Sequence, residues 1–457
     1  MDYKDSFRHL VFRVDKNKYI LDSLILTEMV VYVPCDYLII GAGIIGLSTA
    51  YYLKILEPKA RVCVVERFPG PGMGDTSKSA GMFRMFFSSY TNFVLAKTSV
   101  EFFEYLQFQE KIDLGIKHVG YLFLVAESEK ERFREAILNA DKLGGSYKYV
   151  DREDLKRLGI VVDVEEDEEA RFMGLENIEH GIFVPRAGMI EPDRVATYYE
   201  SQFKRLGGEI YYDTYVKRIV LGARNTLGLD KEPFAWQDII ARGVETDRGF
   251  IESSSIVVAA GVWSYKLLEP IGIPAVSRPK KRQIFVVRPT NDPLKRFFEV
   301  EFFNRERVMP YTILPKGVYV KSHPVEKNFW IGLSDDLGRA YTLEEEPLPE
   351  EDFYRYSIYP VLSKYIPAFR DVFYETAWAG HYDINPIDGQ PIIDRYSNIV
   401  VSIGTSGSGI MKSDAIGRIT AALALGMEEI ELYGGVRIST DVYRIKDRKV
   451  EPEKLVI

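Results

Sequence analysis

Apolar residues along this chain gather in short runs bounded by glycine, proline or charged residues, and the first well-bounded run, Leu38-Ile39-Ile40 after Asp36 and Tyr37, stops at Gly41. A run of that length closed by a glycine turn predicts a buried strand over 36–40. A helix is expected over 44–57, then a second apolar strand, Arg61-Val62-Cys63-Val64-Val65, ending at Glu66. Further on, the pattern predicts helices over 92–111, 130–143, 152–158 and 192–206, the last stopped by Gly207-Gly208. Strands are expected over 120–125, 209–212, 215–221 and 255–258, and alternating strands over 283–288, 311–321 and 329–333. Segment 162–169 reads as an acidic surface loop, and a polar insertion follows 215–221 and ends near Phe250. A last strand, 399–403, meets Gly404 and leads into a helix over 410–427.

The order strand, glycines, helix, strand, acid carries chemistry. Gly41 permits the tight turn, Gly43 leaves room for a pyrophosphate at the backbone, and Gly46 lets the helix pack on the strand. Ile44 and Ile45 open the helix whose free N–H groups and dipole favour phosphate, while Glu66 can accept bonds from ribose hydroxyls. A dinucleotide site follows. Glycine-rich segments at 70–81, 259–261 and 404–409 would wrap a large flat cofactor along its length, so FAD fits better than NAD. The 405–409 turn places a helix N-terminus where negative charge develops on a reduced flavin ring.

These elements predict an α/β fold: a discontinuous Rossmann-like FAD-binding domain with an inserted α+β substrate domain containing a mixed or antiparallel sheet. The expected boundaries are 35–90, 184–275 and 370–435 for the cofactor domain, and 91–183 and 276–369 for the substrate domain. Residues 1–34 form an extension of no assigned role, with Met29 an alternative start, and 436–457 a C-terminal tail.

A chain of 457 residues with 46% hydrophobic content can bury a large core. Its net charge of −8, without a Lys/Arg block among aromatics, excludes the electrostatics of nucleic-acid binding. Two cysteines, Cys35 and Cys63, rule out a disulfide framework; Cys63 reads as a small buried hydrophobe. His9, His118, His180, His323 and His381 lack metal-ligand spacing, so no metal site is expected. The apolar stretch 24–40 is broken by Glu28, Pro34 and Asp36, too short for a transmembrane segment, so a cytoplasmic protein is expected. Six glutamines among abundant Glu, Lys and Arg suggest a thermophilic source.

At Glu66-Arg67, Gly81-Met82-Phe83-Arg84, Val216 after Thr214, Val258-Ala259-Ala260-Gly261-Val262-Trp263-Ser264 and the 404–409 turn, the chain resembles the FAD-dependent amino-acid and amine oxidoreductases of the D-amino-acid oxidase, sarcosine oxidase and glycine oxidase type. Within them it closely resembles the homomeric dye-linked L-proline dehydrogenases. The runs carrying this are Met82-Phe83-Arg84-Met85-Phe86-Phe87-Ser88-Ser89, Ser277-Arg278-Pro279-Lys280-Lys281-Arg282, Leu333-Ser334-Asp335-Asp336-Leu337-Gly338-Arg339, Trp378-Ala379-Gly380-His381-Tyr382-Asp383 and GTSGSGIMKSDAIGR at 404–418. The resemblance implies flavin contacts from Arg67, Thr76, Ser77, Ser79, Ala80, Gly81, Met82, Val216, Ala260, Gly261 and Trp263. It implies further contacts from Gly404, Ser406, Gly407, Ser408, Gly409, Ile410, Met411 and Lys412. No cysteine lies beyond Cys63 and no histidine between 66 and 90, where the family attaches its flavin covalently, so noncovalent FAD is expected. The lysine that meets the family's substrate carboxylate falls on Met411, one position before Lys412.

The implied activity is oxidation of the CH–NH bond of a small amino acid, foremost L-proline to 1-pyrroline-5-carboxylate, with a dye or quinone as acceptor, which leaves room for peripheral membrane contact. A sarcosine- or glycine-type oxidase releasing hydrogen peroxide, a flavin subunit of a larger complex, and homo-oligomerisation stay open. For the carboxylate clamp Arg84 comes first, its alternative being a salt bridge that holds the flavin loop; Arg282 and Lys412 follow. Tyr382 can donate to the carboxylate or simply pack, and His381 can sit at the flavin or serve structure. Met411 and Tyr121 can wall an apolar ring, and Lys280-Lys281-Arg282 can be a solvated strand end.

Overall fold

The computed structural model describes residues 32–335 and 338–456; the Met29 start and most of the N-terminal extension lie outside the described residues, as do Asp336, Leu337 and Ile457. Two eight-stranded sheets organise the chain. In the first, the strands run in the order Ile392–Tyr396, Ile399–Ile403, Phe250–Val258, Cys35–Ile40, Val62–Val65, Glu209–Tyr211, and the hairpin Val216–Ala223 with Ile239–Thr246 extends from Phe250–Val258. The central strands pair in parallel and in register: Ile40 lies beside Val65 on one side and Val258 on the other, and Val258 beside Val401. Both faces are covered, which is why these strands read as unbroken apolar runs. Ile39, Val62, Val64, Val257 and Val400 meet the helices Ile44–Leu56, Pro192–Arg205 and Ser413–Ala424, while Leu38, Ile40, Cys63, Val65 and Val258 face a second cluster with Leu267 and Leu268.

The second sheet runs Thr376–Ile384, Arg278–Val287, Asn328–Leu333, Val318–His323, Tyr311–Ile313, Tyr121–Ala126, Ile178–Val184, Lys148–Val150. Tyr311–Ile313 pairs in parallel with Tyr121–Ala126, and the remaining neighbours are antiparallel. A mixed sheet beside one with a parallel centre and antiparallel margins is the expected α/β architecture with its α+β insertion.

Several local readings are corrected. Segment 311–321 is two strands, because the turn Pro315–Gly317 puts Lys316 at φ +66°. The acidic loop 162–169 is drawn inward by buried Val164 into the helical turns Val164–Glu166 and Glu168–Phe172. The polar insertion contains the strand Ile239–Thr246. The last helix begins as a tighter turn, Ile410–Lys412, before Ser413–Ala424. Lys280, Lys281 and Arg282 are no solvated end: they are buried inside Arg278–Val287, covered by Thr376–Ile384.

Two segments also sit outside their expected domains. The helix Tyr90–Phe108 buries Phe93, Leu95 and Phe103 in the core of the first sheet, and Thr376–Ile384 pairs in the second. The C-terminal tail is integral: Tyr443 enters the first core and Leu455 a cluster with Phe86 and Tyr121. No helix among the described residues is long and apolar enough to cross a membrane.

Cys63, read as a small buried hydrophobe, forms a disulfide with Cys35 across adjacent strands, the Cα atoms 6.1 Å apart. Spacing along the chain gave no sign of it; the two cysteines stand on neighbouring strands and are buried in the same cluster. Removing this cross-link in Cys63→Ala should cost about 2–4 kcal/mol, seen as a lower denaturation midpoint, and two thiols should titrate only after reduction in denaturant. An unchanged midpoint would mean that the strands alone hold this edge.

Candidate active site

A cleft of about 1640 Å³, including its mouth, runs along the C-terminal ends of the parallel strands, where open α/β sheets place their ligands. Its floor is backbone. Gly41 has φ +106°, and a Cβ there would lie 2.6 Å from the Ala259 carbonyl; at Gly46 it would lie 1.9 Å from the Gly41 carbonyl. At Gly43 a Cβ would meet only Thr76 Oγ1 at 3.5 Å, so this position borders open space. Ile44 donates its N–H to Thr76 Oγ1 at 3.2 Å, and Ile44 and Ile45 line the cleft. Gly46 does not; it sets how closely the helix approaches the turn.

Glu66 accepts from the N–H of Ala42 at 2.7 Å and of Phe68 at 2.9 Å, joining the glycine turn to the loop after the second strand. Burial raises its pKa against the pull of those bonds. Beside it, Arg67 stacks on Trp263 at 4.2 Å and pairs with Glu345 at 2.9 Å. Trp263 and Lys266 donate to the same carboxylate, and although burial opposes them, these donors hold Glu345 at about 2. Val216, Ala260 and Gly261 complete this end.

The loop that supplies Thr76, Ser79 and Ala80 to the cleft is clamped from the second sheet. Trp378 Nε1 donates to the Lys78 carbonyl at 3.0 Å and the His381 N–H to Asp75 at 2.8 Å. Ser77, bonded to the Gly74 carbonyl, and Gly81, whose Cβ would lie 2.4 Å from the Ile190 carbonyl, shape the loop and do not line the cleft. Gly407, Gly409 and Ile410 line the far end; Gly404, at φ +74°, gives its N–H to Asp383. Here three buried polar atoms have no hydrogen-bond partner among the described residues: Asp383 Oδ1, Arg282 Nε and His381 Nδ1, all on residues lining the cleft. Burial pushes the Asp383 carboxyl up to about 6. A backbone cradle at a helix start, a long trough and orphaned polar groups at its end fit a dinucleotide carrying a polar ring system.

A smaller cavity adjoins that end and shares Ser79, Ala80, Tyr382 and Gly407 with the cleft. It is lined by Met82, Arg84, Tyr121, Tyr311, Ser406, Ser408 and Met411, and closed by Glu453, Leu455 and Val456. Arg84 is buried over the Phe87 ring at 4.3 Å and donates to the carbonyls of Phe86 and Leu455, so it braces its loop through carbonyls, not through a salt bridge. Two of its five N–H donors are thereby used. The hydroxyls of Tyr121, Tyr311 and Tyr382 bond to no described residue, and burial raises all three pKa values, which keeps them O–H donors.

The other candidates are placed differently. Arg282 is held by Asp335 at 2.7 Å, with its guanidinium carbon 5.2 Å from the Tyr382 ring centre. Lys412 lines neither cavity: it is buried and donates to Asn92 Oδ1 at 2.6 Å, and burial pulls it down to about 7. His381 lines the cleft and accepts from the Glu344 N–H at 3.4 Å.

Sequence reasoning missed Lys321, Asp383 and Glu453. Lys321 is buried over Trp330 at 3.8 Å, donates to the Ala80 carbonyl at 2.6 Å and is pulled down to about 7 by burial. It sits in an ordinary alternating strand, so no local signal marks it. For Asp383 the signal was its place directly after Tyr382 in a recognised run; Glu453 had none.

Known proteins resemble this chain in sequence and in fold. The chain is 27% identical over 451 residues to FAD-dependent oxidoreductase domain-containing protein 1 of Xenopus laevis, spanning 89% of this chain and 84% of that one. It is 26% identical over 245 residues to L-2-hydroxyglutarate dehydrogenase of Salmonella houtenae, spanning 52% of this chain and 50% of the other. The crystal structure of L-proline dehydrogenase from P. horikoshii superposes with a TM-score of 0.69 at 22% identity, over 90% of this chain and 96% of that one. The model of the FAD dependent oxidoreductase family, DAO, matches residues 36–423, and the chain belongs to that family.

Proposed function

We propose that this FAD-dependent oxidoreductase oxidises the C–N bond of a small α-amino acid, L-proline foremost, and passes the electrons to a dye- or quinone-type acceptor. The observation that carries this reading is the small cavity beside the cofactor cleft, with buried Arg84 and three unpartnered tyrosine hydroxyls around it. Bound FAD supplies the hydride acceptor. The chain's own part is positioning: the remaining Arg84 N–H groups and the O–H groups of Tyr121, Tyr311 and Tyr382 receive the substrate carboxylate, while Met411, Phe87 and Leu455 offer apolar surface to a pyrrolidine ring. Arg282, His381 and Asp383 serve the ring end of the cofactor, and Lys412 supports the cavity from behind. FAD is held noncovalently in this reading, since both cysteines are cross-linked and residues 66–90 contain no histidine. The name of the P. horikoshii neighbour favours proline, whereas that of the Salmonella relative favours a 2-hydroxy acid. The disulfide accords with a cytoplasmic setting in a thermophile, with the acceptor reached at a membrane surface.

Anaerobic titration of the flavin protein with L-proline should bleach the flavin band, more completely than with sarcosine, glycine or L-2-hydroxyglutarate. Reduction by the hydroxy acid alone would overturn the amino-acid reading, and peroxide release in air would move the protein to the oxidases. Arg84→Lys should lower kcat/KM for the amino acid by about a hundredfold, with FAD content unchanged; equal rates would remove Arg84 from carboxylate binding.

Glu66→Gln should weaken FAD retention about tenfold, measured by ultrafiltration of the loaded protein, since the amide cannot accept from Ala42 and Phe68 together as the carboxylate does. Retention equal to wild type would confine Glu66 to shaping the loop.

Lys321 also sets a pH dependence. Its folded pKa of about 7 lies below the ordinary 10.5, so its burial costs stability fully below pH 7 and the cost fades as pH rises through that window. Lys321→Met should therefore raise the denaturation midpoint at pH 6, with the gain shrinking toward pH 10. A pH-independent change would show that Lys321 pays no charge penalty.

A further inference from the structure

Both cations around the small cavity lead back to one carboxylate contributed by the far end of the chain. Glu453 receives six donors, three on each oxygen. Oε1 takes the Ser88 N–H at 3.0 Å, Ser88 Oγ at 2.8 Å and the Leu455 N–H at 3.0 Å. Oε2 takes the Ser89 N–H at 3.2 Å, Ser89 Oγ at 2.6 Å and Asn92 Nδ2 at 3.1 Å. The carbonyl of the same Asn92 side chain accepts from Lys412, and the backbone carbonyl of Leu455 accepts from Arg84. Each cation is thus one residue removed from Glu453, which itself borders the cavity. Burial would neutralise this carboxyl, but Arg84, the two serines and Lys412 outweigh it and hold the group below the ordinary carboxylate range.

We infer that Glu453 is the specificity-determining residue of the small cavity: its fixed negative charge admits a monocarboxylate beside Arg84 and rejects a second carboxylate on the same molecule. The inference rests on the reading of this cavity as the substrate pocket. The six donors around Glu453 are all engaged on its own oxygens, so a second negative group placed against it finds none of them free and meets the repulsion of a like charge. Met411, Leu455 and Val456 also line the cavity and give a carboxylate no hydrogen bond from their side chains, while the hydroxyls of Ser406 and Ser408 already donate to the carbonyls of Gly404 and Thr405. A cavity bordered by Arg84 alone would draw dicarboxylates; with Glu453 in its wall it selects against them.

The test is a titration of the FAD-loaded protein with butyrate and succinate, matched in carbon number, followed by perturbation of the flavin band. Wild type should bind butyrate more tightly than succinate. Glu453→Gln should raise the succinate-to-butyrate affinity ratio about tenfold or more, and Glu453→Asp, which keeps the charge, should hold it within about threefold of wild type; FAD content and circular dichroism check the fold of each variant. A ratio unmoved in Glu453→Gln, or wild type preferring succinate, would overturn the inference and leave the pocket reading standing. Failure of both anions to perturb the wild-type flavin would overturn the pocket reading and the inference with it.

Discussion

Three stretches of backbone meet at Gly41 more closely than any side chain would permit. The turn after the first strand lies against the Ala259 carbonyl on one side and the start of the Ile44–Leu56 helix on the other, and a methyl group at Gly41 or Gly46 would force them apart. The in-register pairing of Ile40 with Val65 and Val258 depends on that approach, because it brings the ends of three strands to one level. From this level the cofactor loops leave: Glu66 and Arg67 after the second strand, Ala260 and Trp263 after the third. Loosening the contact would displace every wall of the cleft together.

Once the backbone is fixed, the second problem is charge. The chain buries Arg84, Lys280, Lys281, Arg282, Lys321 and Lys412, and isolated buried cations cost several kcal/mol each. The chain answers with partners from distant segments: Asp335 for Arg282, Glu344 and Glu350 for Lys281, the carbonyls of Phe86 and Leu455 for Arg84, and the Ala80 carbonyl for Lys321. Where the partner is neutral, as for Lys321 and Lys412, the amine moves toward the neutral form. A charged interior thereby becomes a graded one, with Arg84 kept as the strong cation bordering the small cavity and two weak bases set behind its walls.

The glycine cradle of the cleft was legible because its determinants are local: glycines, a helix start and an acid at fixed spacing are written into one βαβ unit. The small cavity was less so. Tyr121, Tyr382, Arg84 and Met411 could be named from the runs in which they stand, but Tyr311 and Lys321 occupy plain strand positions, and only sheet pairing brings them near the others. Lys280-Lys281-Arg282 misled because three consecutive cations look solvated until Thr376–Ile384 is known to cover them. The disulfide and Glu453 lay beyond local reasoning for the same reason: their partners are set by tertiary contact, 28 residues away for Cys35 and some 360 for Glu453.

That last contact bears on how the molecule is built in time. A chain emerging from the ribosome can form the Gly41 turn and its first helix early, but the third parallel neighbour waits for Phe250–Val258 and the next for Ile399–Ile403. The small cavity waits longest, since Arg84, made among the first hundred residues, finds its second carbonyl acceptor only when Leu455 arrives. During synthesis this arginine therefore passes most of the interval without that acceptor, and the chamber can hold no shape of its own before the final segment docks.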